Sequence, residues 1–167
     1  MLRVVFLIIA LLLMPIFSLG QERSSKLLGL PSPELEQYSN RYLSLSDEFS
    51  TALRRYVSTG EMHEKRRNEF DLLMYVGGEL QTTDAELTAL QGHLLLADMV
   101  TEKPLIRQAR NFISLQYQHT KMRSETRAQY IERNLHVSRD QETTNLLLAA
   151  RDLHRAVADY LRRLDAK

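Results

Sequence analysis

The side chains best suited to hold a metal are the five histidines, and their neighbours argue against that chemistry. In di-metal carboxylate bundles a glutamate stands three residues before a histidine, so that both project inward from one helix. Here Gly60, Leu90, Gln116, Arg133 and Arg151 occupy that offset, so no metal of that class is expected. Glu132 and His136, four apart, share one helix face, a spacing that suits an ordinary hydrogen-bonded pair as well as two ligands. His63-Glu64 runs into Lys65-Arg66-Arg67 and completes no zincin motif. The absence of cysteine excludes thiolate zinc sites, iron–sulfur clusters and c-type haem attachment. Six methionines could in principle supply an axial haem ligand, but no Met/His spacing points to one pair, and methionine on an apolar face ordinarily fills a core. No G-x-S-x-G, phosphate-binding loop or dinucleotide fingerprint is present. The expectation is a protein without cofactor that is not an enzyme.

A different chemistry suits the arginines. Arginine outnumbers lysine seventeen to five, and a guanidinium fork can hold a carboxylate or another anion through two parallel hydrogen bonds. Thr59, His63 and Arg66 fall on the apolar seam of the first helical stretch, and Thr120, Ser124 and Arg127 on that of a later one. Polar groups inside a core cost several kcal/mol unless partnered. Two readings follow. Either these positions line a polar pocket between helices, with Arg66, Arg123 or Arg127 binding a small anionic ligand beside His63 and Tyr117, or the helices project past their neighbours and the polar segments are solvated. The remaining charges, with Glu61, Glu64, Glu69, Glu125 and Glu132 interleaved among arginines, suit pairs on solvated faces rather than a nucleic-acid stripe.

The elements that would position these groups are helices. Ser32-Pro33-Glu34 is a helix start: Ser can cap, Pro suits the first turn, Glu complements the dipole. Leu35, Tyr38, Tyr42, Leu45, Phe49, Ala52 and Tyr56 then recur at 3-4 spacing, a coiled-coil-like seam. Ser58-x-x-Glu61, with Gly60 inside it, signals a break. The same register nevertheless continues through Thr59, His63, Arg66, Phe70, Leu73, Gly77 and Leu80, which signals one helix from Pro33 to Gln81; both remain open. Thr83-x-x-Glu86 predicts a further start, leading a stripe of Leu87, Leu90, Leu94 and Ala97 widened by Leu95 and Met99. Lys103-Pro104 opens the next helix, which runs to about Val137 with Ile106, Ile113, Tyr117, Ile131 and Leu135 on one side. Ser138-x-x-Gln141 predicts the last start, before Leu146, Ala150, Leu153, Val157, Tyr160 and Leu164. Gly77-Gly78, inside a helical pattern, suits close helix approach. The expected fold is all-α: an up-and-down antiparallel helical bundle of four to five helices with coiled-coil-like seams.

Residues 1–20 read as an address. Arg3 precedes an unbroken apolar run from Val4 to Met14, Pro15 breaks it, and Ser18 and Gly20 place small residues before Gln21. That order is a secretory signal peptide, or, if retained, a short N-terminal anchor. Residues 21–32 read as a linker and 33–167 as the bundle domain. Without Arg3 the remainder carries 21 basic and 21 acidic residues, a balance that favours no nucleic-acid partner. No second apolar run of membrane length follows. Neither disulfides nor an N-x-S/T acceptor is present, which suits a bacterial periplasm or exterior. The functional expectation is an exported helical bundle acting by protein–protein interaction or self-association in the cell envelope, with an anionic-ligand sensor or carrier as the alternative.

Overall fold

The computed structural model describes residues 32–58 and 64–165. The signal or anchor segment, the linker to residue 31, the 58–61 capping box, Thr59, His63 and the terminal Lys167 lie wholly or partly outside them. Four helices follow one another: α1 Ser32–Ser58, α2 Glu64–Asp98, α3 Lys103–Asn134 and α4 Gln141–Asp165, with a 3₁₀ turn Leu135–Val137 after α3. No strand occurs among the described residues. Short connections force antiparallel neighbours. The tightest packing is within two hairpins, α1–α2 and α3–α4, and these join through α2 against α3 and α1 against α4.

The 3-4 seams are the core. Leu35, Tyr42 and Phe49 of α1 are fully buried, with Leu45 and Tyr56 nearly so. They meet Leu73, Val76, Leu80 and Leu87 of α2 and Leu147, Ala150, Val157 and Leu161 of α4. The helices pass close at Gly77 without requiring glycine: a Cβ there would sit 3.5 Å from Phe49 Cβ, an ordinary contact, while one at Gly78 would meet nothing within 4 Å.

The sequence pattern and the structure part at three places. α1 ends at Ser58 and α2 starts at Glu64, so residues 33–81 are two helices. No helix begins at Thr83, because α2 runs through it to Asp98. Thr82 and Thr83 donate back to the carbonyls of Gly78 (2.9 Å) and Glu79 (2.8 Å), which satisfies the hydroxyls without opening the helix. That makes the count four among the described residues. At α4 the cap is Asp140, not Ser138: Asp140 Oδ1 accepts from the Thr143 backbone N–H at 2.7 Å, the reach of an N-cap to the third helical residue. Ser138 instead bonds Thr144 Oγ at 2.9 Å. Lys103-Pro104 behaves as expected, with Glu102 in the cap position and Pro in the first turn. Leu95 and Met99 do not widen the buried stripe; both stand exposed.

Side-chain bonds fix the register. Ser39 bonds Asp84, and Gln81 donates to Ser46 at 3.2 Å across α1–α2. Asp165 accepts from Ser114 (2.9 Å) and Gln118 (3.2 Å) across α3–α4. One end of the bundle therefore gathers the start of α1, the α2–α3 turn and the end of α4. From Ser39 opposite Asp84, Ser32 lies level with about residue 91, so Asp98 stands ~10 Å beyond it at 1.5 Å per residue. Lys103 likewise stands ~16 Å beyond Ser114. The α2–α3 hairpin overhangs its neighbours.

Candidate functional site

The polar seam of α3 folds into a closed layer at mid-bundle. Arg127, only 5% exposed, is held by two carboxylates of α2. Its Nε donates to Glu79, and its two terminal nitrogens donate to Glu86 at 3.0 and 3.2 Å. Burial works against the guanidinium's charge, but its hydrogen bonds to Glu86 and Glu79 outweigh it and raise the Arg127 pKa above its ordinary value. Arg123 adds a second cation to Glu86 at 2.6 Å. On the far side of the layer the Tyr42 hydroxyl and His154 Nδ1 are hydrogen-bonded at 2.9 Å, their rings 5.2 Å apart. Burial first, then the nearby Arg127 charge, push His154 down to about 3, so the imidazole is neutral. Burial pushes the Tyr42 hydroxyl far up, so it keeps its proton. His154 Nε2 and Ser124 Oγ are buried without a hydrogen-bond partner in the protein.

A second polar cluster closes the opposite end. Glu69 of α2 is fully buried, where its place among interleaved charges suggested a solvated face. Its carboxylate accepts from the Arg139 backbone N–H at 2.8 Å and from Ser138 Oγ at 3.4 Å, so α2 caps the α3–α4 connection. Tyr56 lies beside Glu69 and Thr143, and burial with the Glu69 hydrogen bond pushes its hydroxyl up to about 12.

Of the five residues expected at a polar pocket, the four that are described do not converge. Arg123 and Arg127 share the central layer. Tyr117 is buried elsewhere on α3, its hydroxyl without a protein partner, and burial pushes its pKa up. Arg66 lies at the other end, its guanidinium carbon 5.8 Å from the Tyr56 ring centroid, lining a groove with Arg55, Asp140 and Glu142. His63 lies outside the described residues. Glu132 does not pair with His136; it accepts from Arg151 (3.1 Å) and Arg155 (2.9 Å) of α4, and His136 bonds the Arg133 carbonyl. Glu125 likewise bridges helices, to Arg162 at 2.6 Å.

What sequence reasoning passed over is an outward stripe. On α3, Leu105, Phe112, Leu115 and Met122 are roughly half exposed. Their 7-3-7 spacing is a second helical repeat, Leu105 and Phe112 standing one position ahead of the half-buried Ile106 and the buried Ile113, and it was legible as such. Beside it, between α2 and α3, runs an apolar groove of about 230 Å³ lined by His93, Leu96, Val100, Ala109 and Phe112, with the His93 and Phe112 rings edge to face at 5.0 Å. Among the described residues no group of His, Asp and Glu side chains converges as a metal site. No protein-family model, curated protein or solved structure matches the chain.

Proposed function

We propose that this is an exported, non-catalytic helical bundle that works in the bacterial cell envelope by binding another protein along the outward face of its α2–α3 hairpin. One observation carries the reading. Of the twelve large apolar side chains exposed among the described residues, ten belong to α2, α3 or the turn between them. Scattered single apolar groups are normal on a surface; a concentration on one hairpin marks an interaction face. Along the shaft of the hairpin, Met74, Leu115 and Met122 offer helical spacing to a partner helix. Export is supported by the Arg3–apolar run–small residue order at the N-terminus.

An anion-binding pocket has less support. The anions that Arg127 holds are the chain's own Glu79 and Glu86, and Arg66 shares its groove with Asp140 and Glu142.

The test is photo-crosslinking in the native host from probes placed at Leu115 and Met122, with a probe at Asp152 on α4 as control. A discrete protein adduct from the two α3 positions and none from Asp152 is the expected result. Adducts from neither α3 position, or equal labelling from Asp152, would end the proposal.

A further inference from the structure

The geometry points to the overhanging tip of the α2–α3 hairpin as a membrane-contacting element, with a lipid bilayer surface as its occupant. It assigns the tip's share of the hairpin's exposed apolar groups to lipid and leaves Met74, Leu115 and Met122 on the shaft to a protein partner, so a failure at the tip leaves the crosslinking test of the shaft standing.

Five large apolar groups crowd the tip: Leu95, Leu96, Met99, Leu105 and Phe112, from 43% to 76% exposed. They belong to both helices and the turn. Leu95 and Leu96 are consecutive and both exposed, so they diverge by about 100° around α2. Apolar groups thus point to more than one side of the tip. A rigid partner helix would cover one of those sides, whereas a fluid acyl boundary receives all of them. Lys103 and Arg107 stand exposed among them, with Asp98 and Glu102 beside them. Basic groups interleaved with apolar ones are the composition that settles into a headgroup layer, the cations on lipid phosphates and the apolar groups at the acyl boundary.

The position of the tip within the chain points the same way. The tip is at the end of the bundle where α1 begins at Ser32. The apolar run Val4–Leu19, a signal or anchor by its sequence, joins the bundle there through residues 21–31. Eleven residues reach at most ~36–40 Å, and the tip extends ~10 Å past the start of α1. As long as that run is attached, during export or as a retained anchor, the chain presents this end to the bilayer, tip foremost, while the partly polar opposite end faces away. No described helix is long and apolar enough to cross a membrane, so the contact is interfacial.

The chain has no cysteine, so single-cysteine variants label cleanly, and exposed positions accept them. Full-length chains carrying an environment-sensitive fluorophore at Leu105→Cys, Phe112→Cys or Val57→Cys are reconstituted into phosphatidylglycerol–phosphatidylcholine vesicles whose acyl chains are brominated. Val57 is exposed at the far end of α1. The expected result is about a twofold loss of fluorescence at positions 105 and 112 and none at 57, as for groups at the acyl boundary. Failure of the chain to bind the vesicles, or no quenching at 105 and 112, overturns the inference. So does quenching equal at all three positions. A nitroxide at position 112 that shows dipolar coupling between copies without lipid assigns the tip to a second copy of the chain and also overturns it.

Discussion

Tyr42 and His154, 112 residues apart in sequence, share a 2.9 Å hydrogen bond that ties α1 to α4 inside the core. Both rings are fully buried, and both stay neutral: Tyr42 keeps its proton, and His154 takes none until far below its ordinary range. The bond thus joins two helices without placing a second charge next to Arg127.

It follows that stability depends on pH through His154. The folded pKa is about 3 against an ordinary 6.5, so between these values the unfolded chain binds the proton and the folded chain does not. The contribution is fully present above pH 6.5 and is lost as pH falls, by up to ~1.4 kcal/mol per unit. Urea unfolding of the wild type and His154→Gln at pH 7.5 and pH 5 should show their stability gap narrowing by ~2 kcal/mol at the lower pH. Parallel pH profiles would contradict the assignment.

Arg127→Met should destabilise by ~2–4 kcal/mol, because it strands Glu79 and leaves Glu86 to Arg123 alone beside a buried apolar group. Adding Glu79→Gln and Glu86→Gln should recover most of that loss. The readout is the midpoint of chemical denaturation for the single and triple variants, and a triple variant no better than the single would refute the pairing.

Phe49→Ala should cost ~3–5 kcal/mol with no change in sedimentation, as the side chain is wholly interior. Gly77→Ala behaves oppositely. The added methyl meets Phe49 at ordinary contact distance and removes backbone freedom from a helix interior, for a gain of ~0.5–1 kcal/mol. Thermal unfolding distinguishes the two signs.

Asp140→Ala should cost ~1 kcal/mol through loss of the α4 cap, and more than Ser138→Ala. The reverse order in thermal melts would restore Ser138 as the cap.

The exported product should begin at or beside Gln21. N-terminal sequencing of material recovered from the envelope checks this, and a sequence starting at Met1 would mean that the apolar run is retained as an anchor.

The seams were legible because heptad spacing is local: Leu35 to Tyr56 and Leu146 to Leu164 place their own faces without reference to the rest of the chain. Capping was less legible because a Ser/Thr with Glu three residues on has the same spacing at a helix start and within a helix. At Thr83 the hydroxyl turns back to Glu79, and Glu86 reaches Arg127 instead of the backbone. The central layer was half visible. Arg127 and Ser124 were marked as seam positions, but the partners of Arg127 lie 41 and 48 residues away, and no local pattern links them. Glu69 was hidden for the same reason, since its acceptor role depends on a backbone N–H 70 residues on. The outward stripe of Leu105, Phe112, Leu115 and Met122 was present in the spacing and was masked by Ile106 and Ile113, which follow its first two members and turn inward.

The capture of Arg139 by Glu69 also gives α4 a direction of opening. Its N-terminal end is bound three ways, by the Asp140 cap, by Ser138 on Thr144 and by the Glu69 carboxylate under the preceding connection. Toward its C-terminal end the polar ties among the described residues are exposed ones, Ser114 and Gln118 donating to Asp165 and Arg162 donating to Glu125, beside the Tyr38–Tyr160 ring contact at 5.4 Å and the Glu34–Tyr160 hydrogen bond. Fraying therefore starts at Asp165 and moves toward Asp140, so amides near Tyr160 should exchange with solvent before those near Leu147. Such a fluctuation would lift Tyr160, Leu161 and Leu164 away from the core beside the overhanging hairpin, transiently enlarging the apolar surface at the end of the molecule where the linker attaches.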